Sequence, residues 1–492
     1  MKRSLSLLAL LLVLILCLGA CTTIAPQPPT ESSCVHTDAD DNGKCDTCTV
    51  SVLVEVDLFA VNDLHGKIFD TDSQPGMDEF NSYMRLQRKQ NPNTILLSSG
   101  DMWQGSSESG LTKGLIVTDW MNEMDFVSMT LGNHEFDWGE EAIYDNLELA
   151  EFPFLAINVY EKSTNQRVDY CQGSVMVDLG KIQVGIIGAI GDCYSSISSD
   201  KVEDVYFVLD DALTELVKDE SQALRAQGAD LIVYSIHAGG SDYNYELSDG
   251  YVDVVFEGHT HKSYVNIDSY GVYHVQGGGD NDGITHAQVL INEITGTTVI
   301  TAEQIPTKVY NKYTGDTIID GLEQKYAEQL QMGDVVLGNN ARKRSSGEIK
   351  QKVADLYLAL GQQHWGSQYD LVLGGGFIST RSPYDLAAGE VRYSDLQMLL
   401  PFDNQIVLGS IKGSDLQKKF IHTNNSNYFI TYSAYGNSVK GGIDPNATYY
   451  IITDTYSASY APNRITVVDT YDQTTFARDL VADFMQSGGW SE

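Results

Sequence analysis

Short apolar runs, each cut off by a Gly and a burst of polar side chains, dominate the chain from residue 51 to about residue 305. LVEVDLFAV (53–61), TILLSS (94–99), KIQVGIIGAI (181–190), DLIVYSI (230–236) and VDVVFEG (252–258) are rich in Val, Ile and Leu. They are too short for buried helices, so each predicts a buried strand. Stretches 141–150 and 211–227 read as helices, and IIDGLEQKYAEQLQM (318–332) as a connecting helix. Strands alternating with helices predict an α/β unit. Residues 340–492 carry their own helical stretches, near 346–364 and 474–487, and predict a second unit.

The N-terminus departs from this pattern. MKRSLSLLALLLVLILCLGAC sets Lys2 and Arg3 before an apolar stretch from Leu5 to Leu18, the layout of an export signal rather than a bilayer span. Leu18-Gly19-Ala20-Cys21 resembles a bacterial lipobox, which implies cleavage after Ala20 and a lipid on Cys21. The alternative is an ordinary signal peptide with Cys21 incidental. Either way the chain is expected to be exported; with the lipid it is anchored to the cell membrane, facing the exterior or the periplasm. TTIAPQPPTESS (22–33) reads as a flexible tether.

CVHTDADDNGKCDTC (34–48) leaves three readings open. Cys34, His36, Cys45 and Cys48 are enough N/S ligands for a small zinc knot. Asp38, Asp40, Asn42 and Gly43 match the first half of a calcium loop, although Thr49 stands where its closing Glu belongs. The third reading is a polar stalk with one disulfide and an odd thiol. Cys171 and Cys193 are two further thiols able to pair in an oxidising compartment.

With 492 residues, more than one core is expected. The net charge of −36 repels nucleic acid phosphates, which argues against a DNA or RNA partner. A small anionic substrate stays compatible if a bound cation reverses the local potential. Nothing in the sequence indicates an oligomeric state.

The chemistry sits in the polar bursts. VNDLHGK supplies Asp63 and His65, SSGDMWQG supplies Asp101, and LGNHEFD supplies Asn133, His134 and Asp137. YSIHAGG supplies His237, and FEGHTHK supplies His259 and His261. Open α/β sheets present such loops on one edge, beyond the carboxyl ends of their strands. Asp63, His65, Asp101, Asn133, His237, His259 and His261 are seven O/N donors without a thiolate, which suit two divalent cations sharing a bridging carboxylate.

In this order D-x-H, G-D, G-N-H-E, H and G-H-T-H resemble the calcineurin-like metallophosphoesterases. FAVNDLHG, SSGDMWQGS, LTKG, TLGNHEFDWG and FEGHTH resemble, more narrowly, the 5′-nucleotidase family. The resemblance implies an N-terminal four-layer αββα sandwich (51–305) and a linker with the connecting helix (306–339). After these it implies a C-terminal α/β substrate-binding domain (340–492), all preceded by a signal (1–20) and tether (21–50). It further implies that Asp63, His65 and His261 hold one metal, Asn133, His237 and His259 the other, and that Asp101 bridges them; zinc, manganese, cobalt and iron all suit such donors. His134 would be the catalytic His and Asp137 its orienting partner, while Glu135 has no assigned role and reads as a solvated or supporting group. Two cations supply an activated water near neutral pH and neutralise phosphoryl oxygens.

In the second unit LVLGGGFISTRSPYDLAAGEVRYSDLQMLLPFDNQIV resembles the family's N-G-G-G-I-R…Y-x-D-L…P-F-x-N stretch, with Leu373 in place of the Asn and the Arg displaced to Arg381. Arg381 and Arg392 are candidate anion contacts. Phe429 and Tyr456 match the two aromatics that stack a base in the family. The family's G-G-D-G turn is replaced by SASYAPN, which weakens the expectation of a ribose contact. The implied function is hydrolysis of nucleoside 5′-monophosphates at the cell surface. A 2′,3′-cyclic phosphodiesterase or UDP-sugar hydrolase is the near alternative, and a non-catalytic surface binding protein the distant one.

Overall fold

The computed structural model describes residues 34–71, 75–374, 385–417, 431–432, 443–459 and 464–489. They divide into two compact units. One takes in the described residues up to Val54 together with Ile291–Thr298; the other holds the rest. The larger unit carries two six-stranded sheets and a five-stranded one, flanked by helices, as an α/β protein.

The first sheet is built from β1 (Leu53–Val61), β2 (Thr94–Ser98), β3 (Ser128–Thr130), β4 (Phe154–Leu155), β13 (Gly283–Asn292) and β14 (Thr298–Pro306). Their order is β14-β13-β1-β2-β3-β4, and strands β1, β2, β3 and β4 run parallel to one another. The second sheet uses β6 (Ser174–Asp178), β7 (Gln183–Ile190), β9 (Leu231–His237), β10 (Val254–Glu257), β11 (Ser263–Ile267) and β12 (Tyr273–Gly277). Their order is β11-β12-β10-β9-β7-β6. The inner strands β7, β9, β10 and β12 are parallel. A short ladder of β5 (Val159–Glu161) and β8 (Val205–Phe207) stands apart.

Every residue of β9 is buried, which is why LIVYSIH alternates so little between apolar and polar. Between the sheets a small hydroxyl network replaces bulk: Thr130 Oγ1 donates to Ser235 Oγ at 2.7 Å, and Ser99 and Ser235 hydroxyls lie 3.0 Å apart. On the outer face of the first sheet, helices Asp78–Gln90, Leu115–Glu123 and Glu140–Leu149 bury Phe80, Met84, Trp120 and Ile143 with Phe59, Leu96 and Met129. Against the second sheet, helix Asp210–Ala226 buries Leu213, Val217 and Leu224 with Ile232 and Tyr234. Asp210 and Asp211 open that helix and Arg225 closes it, each matched to the helix dipole.

The stretch 318–332 is not one helix. It breaks into Ile318–Lys325, Ala327–Leu330 and a 3₁₀ turn Gln331–Asp334. The break falls at Tyr326 (φ −99°, ψ 12°), whose ring is buried and whose hydroxyl donates to the Leu115 carbonyl at 3.3 Å. Anchoring that aromatic side chain outweighs the helical period.

Beyond it, residues 337–485 build a separate apolar cluster around Ile349, Tyr357, Trp365, Leu396, Leu408, Ile452 and Val481. β15 (Val336–Asn340) pairs with β17 (Gly389–Arg392). β16 (Leu371–Gly374), β18 (Ile406–Lys412), β19 (Thr431–Tyr432), β20 (Thr448–Asp454) and β21 (Thr466–Thr470) form a mixed sheet in the order β19-β16-β20-β18-β21. Helix Ser346–Trp365 starts on a capping box: Glu348 N–H donates to Ser345 Oγ, and Glu348 Oε2 accepts from Ser345 N–H at 2.9 Å. The last helix is Ala477–Phe484, continued by a wider turn through Gly489.

Among the described residues no helix is long and apolar enough to cross a membrane. Cys171 and Cys193 do not pair as the oxidising-compartment reading allowed. Both thiols are buried and free, one directed at the Ala156 carbonyl and the other at the His237 carbonyl.

Candidate active site

The parallel strands of both sheets end at one rim, and the polar bursts form its loops. Asp63 and His65 follow β1, Asp101 follows β2, Asn133 and His134 follow β3, His237 ends β9, and His259 and His261 follow β10. Five of these side chains hang from left-handed backbone: Asp63, His65, Asp101, His259 and His261 have φ between 50° and 70°. Asp, Asn and His tolerate that region better than bulkier residues, and such conformations cluster where geometry serves a ligand. Crowding explains the neighbouring glycines. A Cβ on Gly132 would meet Asp101 Oδ1 at 2.3 Å, and one on Gly100 (φ +90°) would meet His237 Nδ1 at 2.7 Å.

Two donor groups form. In the first, Asp63, His65 and His261 bring their ligand atoms within 4.8 Å of one another. His65 Nδ1 lies 3.1 Å from the Gln104 carbonyl, which can only accept, so Nδ1 carries the proton and Nε2 presents its lone pair. That lone pair faces His261 Nε2 at 2.9 Å, with Asp63 Oδ1 3.4 Å from His261 Nε2.

In the second, His237 Nδ1 donates to the Ser99 carbonyl at 2.8 Å, so its Nε2 points at Asn133 Oδ1 (3.2 Å) and Asp101 Oδ2 (3.2 Å). His259 Nδ1 lies 2.8 Å from the same Asn133 oxygen. The Asn133 amide Nδ2 is buried with no hydrogen-bond partner among the described residues, so the side chain is set by its oxygen. Asp63, Asp101 and His237 also converge within 4.8 Å, tying the two groups together through carboxylates.

Charge follows the geometry. Burial alone would keep His237 neutral, but the carboxylates of Asp101 and Asp63 dominate and hold its pKa up at about 9. Asp101 is buried against ionisation, yet the charges of His237, His134 and His65 hold its carboxyl well below the usual range. Imidazole lone pairs, a neutral amide oxygen and two buried carboxylates facing one another fit a pair of divalent cations, which would take the place of those protons.

Beside these donors, His134 Nδ1 donates to Asp137 Oδ2 at 2.6 Å, and its Nε2 is 4.0 Å from Asp101 Oδ2. His134 opens onto a cleft lined by Asp137, Ser196, Ser198, Lys201, Phe402, Asp403, Asn404 and Tyr456. Phe402 lies between His134 (ring centroids 6.4 Å apart, planes 27°) and Tyr456 (6.4 Å, 13°).

Tyr456 thus reaches the cleft, with its hydroxyl 3.3 Å from the Ser195 carbonyl. Arg392 does not: its guanidinium is paired with Asp334 (2.9 Å) and Glu390 (3.1 Å) at the surface. Arg381 and Phe429 lie outside the described residues.

Sequence reasoning assigned no part to three groups here. Glu135 is not solvated: it is fully buried and accepts the backbone N–H groups of Gly132 (2.6 Å), Met102 (2.8 Å), Asp101 (2.9 Å) and Trp103 (3.3 Å). Burial, reinforced by the Asp101 charge, pushes its carboxyl up to about 7. Phe402 belongs to the PFDN match, which carried the signal without a role for the ring. Cys193 brings its thiol within 4.8 Å of ligand atoms of His237 and His259, a placement only the fold reveals.

Residues 57–263 match the family described as calcineurin-like phosphoesterase. The chain is 24% identical to the protein UshA of Yersinia enterocolitica, over 82% of this chain and 85% of that one. It is 25% identical to an apyrase of Tabanus yao, over 74% and 72%. Its fold is similar to that of a 5′-nucleotidase precursor from Thermus thermophilus, with a TM-score of 0.67, 18% identity and coverage of 89% and 97%.

Proposed function

We propose that this chain, a metallophosphohydrolase carrying a calcineurin-like phosphoesterase domain, hydrolyses nucleoside 5′-monophosphates to nucleoside and inorganic phosphate outside the cytoplasm. The observation that carries this reading is the convergence of Asp63, His65, Asp101, Asn133, His237, His259 and His261 beside the His134–Asp137 pair, at the mouth of a cleft walled by two near-parallel aromatic rings. The named relatives support the class of substrate.

Asp63, His65 and His261 would hold one cation, and Asn133, His237 and His259 the other, with Asp101 shared. When bound, two such cations supply charge neutralisation and an acidified water. The chain's own residues do the rest. Asp137 fixes the tautomer of His134 by taking its Nδ1 proton in a hydrogen bond, which leaves Nε2 to carry a proton to the phosphoryl or leaving oxygen. The Ser99 and Gln104 carbonyls fix the tautomers of His237 and His65. Tyr456 and Phe402 offer flat apolar surface for the base.

Export with a lipid on Cys21 belongs to the same reading, as does the division at 51–305, 306–339 and 340–492. SASYAPN in place of the family's G-G-D-G turn favours a broader choice of ester, including cyclic nucleotides and sugar nucleotides.

Phosphate release from AMP, a 2′,3′-cyclic nucleotide, a UDP-sugar and p-nitrophenyl phosphate, each assayed with Mn²⁺, Co²⁺ or Zn²⁺, tests it. Highest kcat/KM on AMP is the expected result. Turnover of the sugar nucleotide alone moves the substrate assignment, and no turnover of any ester overturns the proposal.

A further inference from the structure

We propose that Cys34, His36, Cys45 and Cys48 form a structural zinc site that folds the segment ahead of β1. It is independent of the phosphate chemistry. The four donor atoms lie within 4.8 Å of one another, and the three thiols are free. Cys34 and Cys45 Sγ are 3.7 Å apart, far beyond the ~2.05 Å of a disulfide. Cys48 Sγ is 3.4 Å from His36 Nδ1. A tetrahedral zinc with Zn–S of about 2.3 Å and Zn–N of about 2.05 Å has edges of about 3.8 Å between sulfurs and about 3.5 Å between sulfur and nitrogen. Both observed edges match.

The backbone is arranged for such a clamp. Asp46 N–H donates to the Thr37 carbonyl at 2.7 Å, which lays the Cys34–His36 arm beside the Cys45–Cys48 turn. That turn closes on itself through Thr49 N–H to the Cys45 carbonyl (2.8 Å) and Cys45 N–H to the Val50 carbonyl (2.9 Å). Between the arms, Asp38 accepts Asn42 N–H (3.0 Å) and Gly43 N–H (2.8 Å), and takes the Asn292 amide at 2.7 Å. The Asp38 carboxylate of the calcium reading is therefore occupied in holding the loop.

Beyond these hydrogen bonds the segment buries little apolar surface. Between residues 34 and 52 the buried apolar side chains are Cys45 and Val52, while Val35 is 85% exposed. So small an apolar core does not offset the entropy of ordering the chain. Metal–ligand bonds would, as they do in small zinc domains. Three thiolates and an imidazole are soft donors, which select zinc over calcium, and four protein ligands leave no open position for catalysis.

The full mature chain, freed of metal and titrated with Co²⁺, tests the site. A near-ultraviolet thiolate-to-cobalt band is expected, displaced by Zn²⁺, with one metal equivalent beyond the dinuclear centre in the loaded protein. The band should vanish in Cys34→Ser and Cys48→Ser while phosphate release is unchanged, and persist in Cys193→Ser, which separates it from the thiol near His237. Chelation should make the three thiols reactive to alkylation in the native chain, and zinc should protect them, a readout independent of how the variants fold. A missing band, two of these cysteines recovered as a disulfide, or a site that takes Ca²⁺ and ignores Zn²⁺ overturns the proposal.

Discussion

Glu135 accepts the backbone N–H of Asp101 at 2.9 Å, so the residue after the candidate catalytic His holds the loop that carries the proposed bridging residue, Asp101. The Glu135 carboxylate takes three more N–H groups, from Gly132, Met102 and Trp103. The β2 and β3 loops are thereby locked to one another at the centre of the site.

Glu135→Gln should therefore destabilise the fold by about 2–4 kcal/mol, because the amide turns one N–H₂ towards donors that need an acceptor. It should also lower metal content, since Asp101 loses its support. Denaturant unfolding and metal analysis check both, and a variant as stable as the parent counts against the clamp.

His134→Ala should lower kcat by roughly two to four orders of magnitude with metal content intact. Asp137→Asn should keep binding but lose part of the rate, because the ring loses its fixed tautomer. Steady-state kinetics beside metal analysis decide this. Full activity without His134 removes it from the chemistry.

Tyr456→Ala and Phe402→Ala should each raise KM for AMP by about tenfold. Turnover of p-nitrophenyl phosphate should stay near parental, since that ester lacks a base. Equal losses on both substrates point to a collapsed cleft rather than lost stacking.

Removing divalent ions should abolish phosphate release, and adding them back should restore it. His237→Ala should not be rescued at ordinary metal concentrations, because Asp101 Oδ2 and Asn133 Oδ1 lose the nitrogen that faces them both. Activity that survives exhaustive chelation rules out the metal reading.

Asp454 is buried, and burial pushes its carboxyl from 3.8 up to about 6. The folded chain thus binds this proton more tightly than the unfolded chain. Its destabilising charge is fully felt above about pH 6 and fades as pH falls towards 3.8. Asp454→Asn keeps an acceptor for Ser457 N–H (2.7 Å) and should raise stability near neutral pH by about 1–3 kcal/mol. The difference should shrink on acidification, and unfolding curves at several pH values measure it.

The candidate donors that meet at this rim were legible in the sequence because each follows an apolar run that predicts a buried strand: Asp63 and His65 after LVEVDLFAV, Asp101 after TILLSS, His259 and His261 after VDVVFEG. A strand of this kind ends where its loop must be polar, so residue type and position carry the chemistry together. The break at Tyr326, the burial of Glu135, the surface pairing of Arg392 and the separation of Cys171 from Cys193 were not legible. Each depends on what packs against the residue from far away in the chain: the Leu115 carbonyl, the Asp101 loop, Asp334, and the His237 carbonyl. Local pattern sets which residues a loop offers. Only the tertiary structure decides which of them meet, because the partners lie tens to hundreds of positions apart and are chosen by the stacking of two sheets.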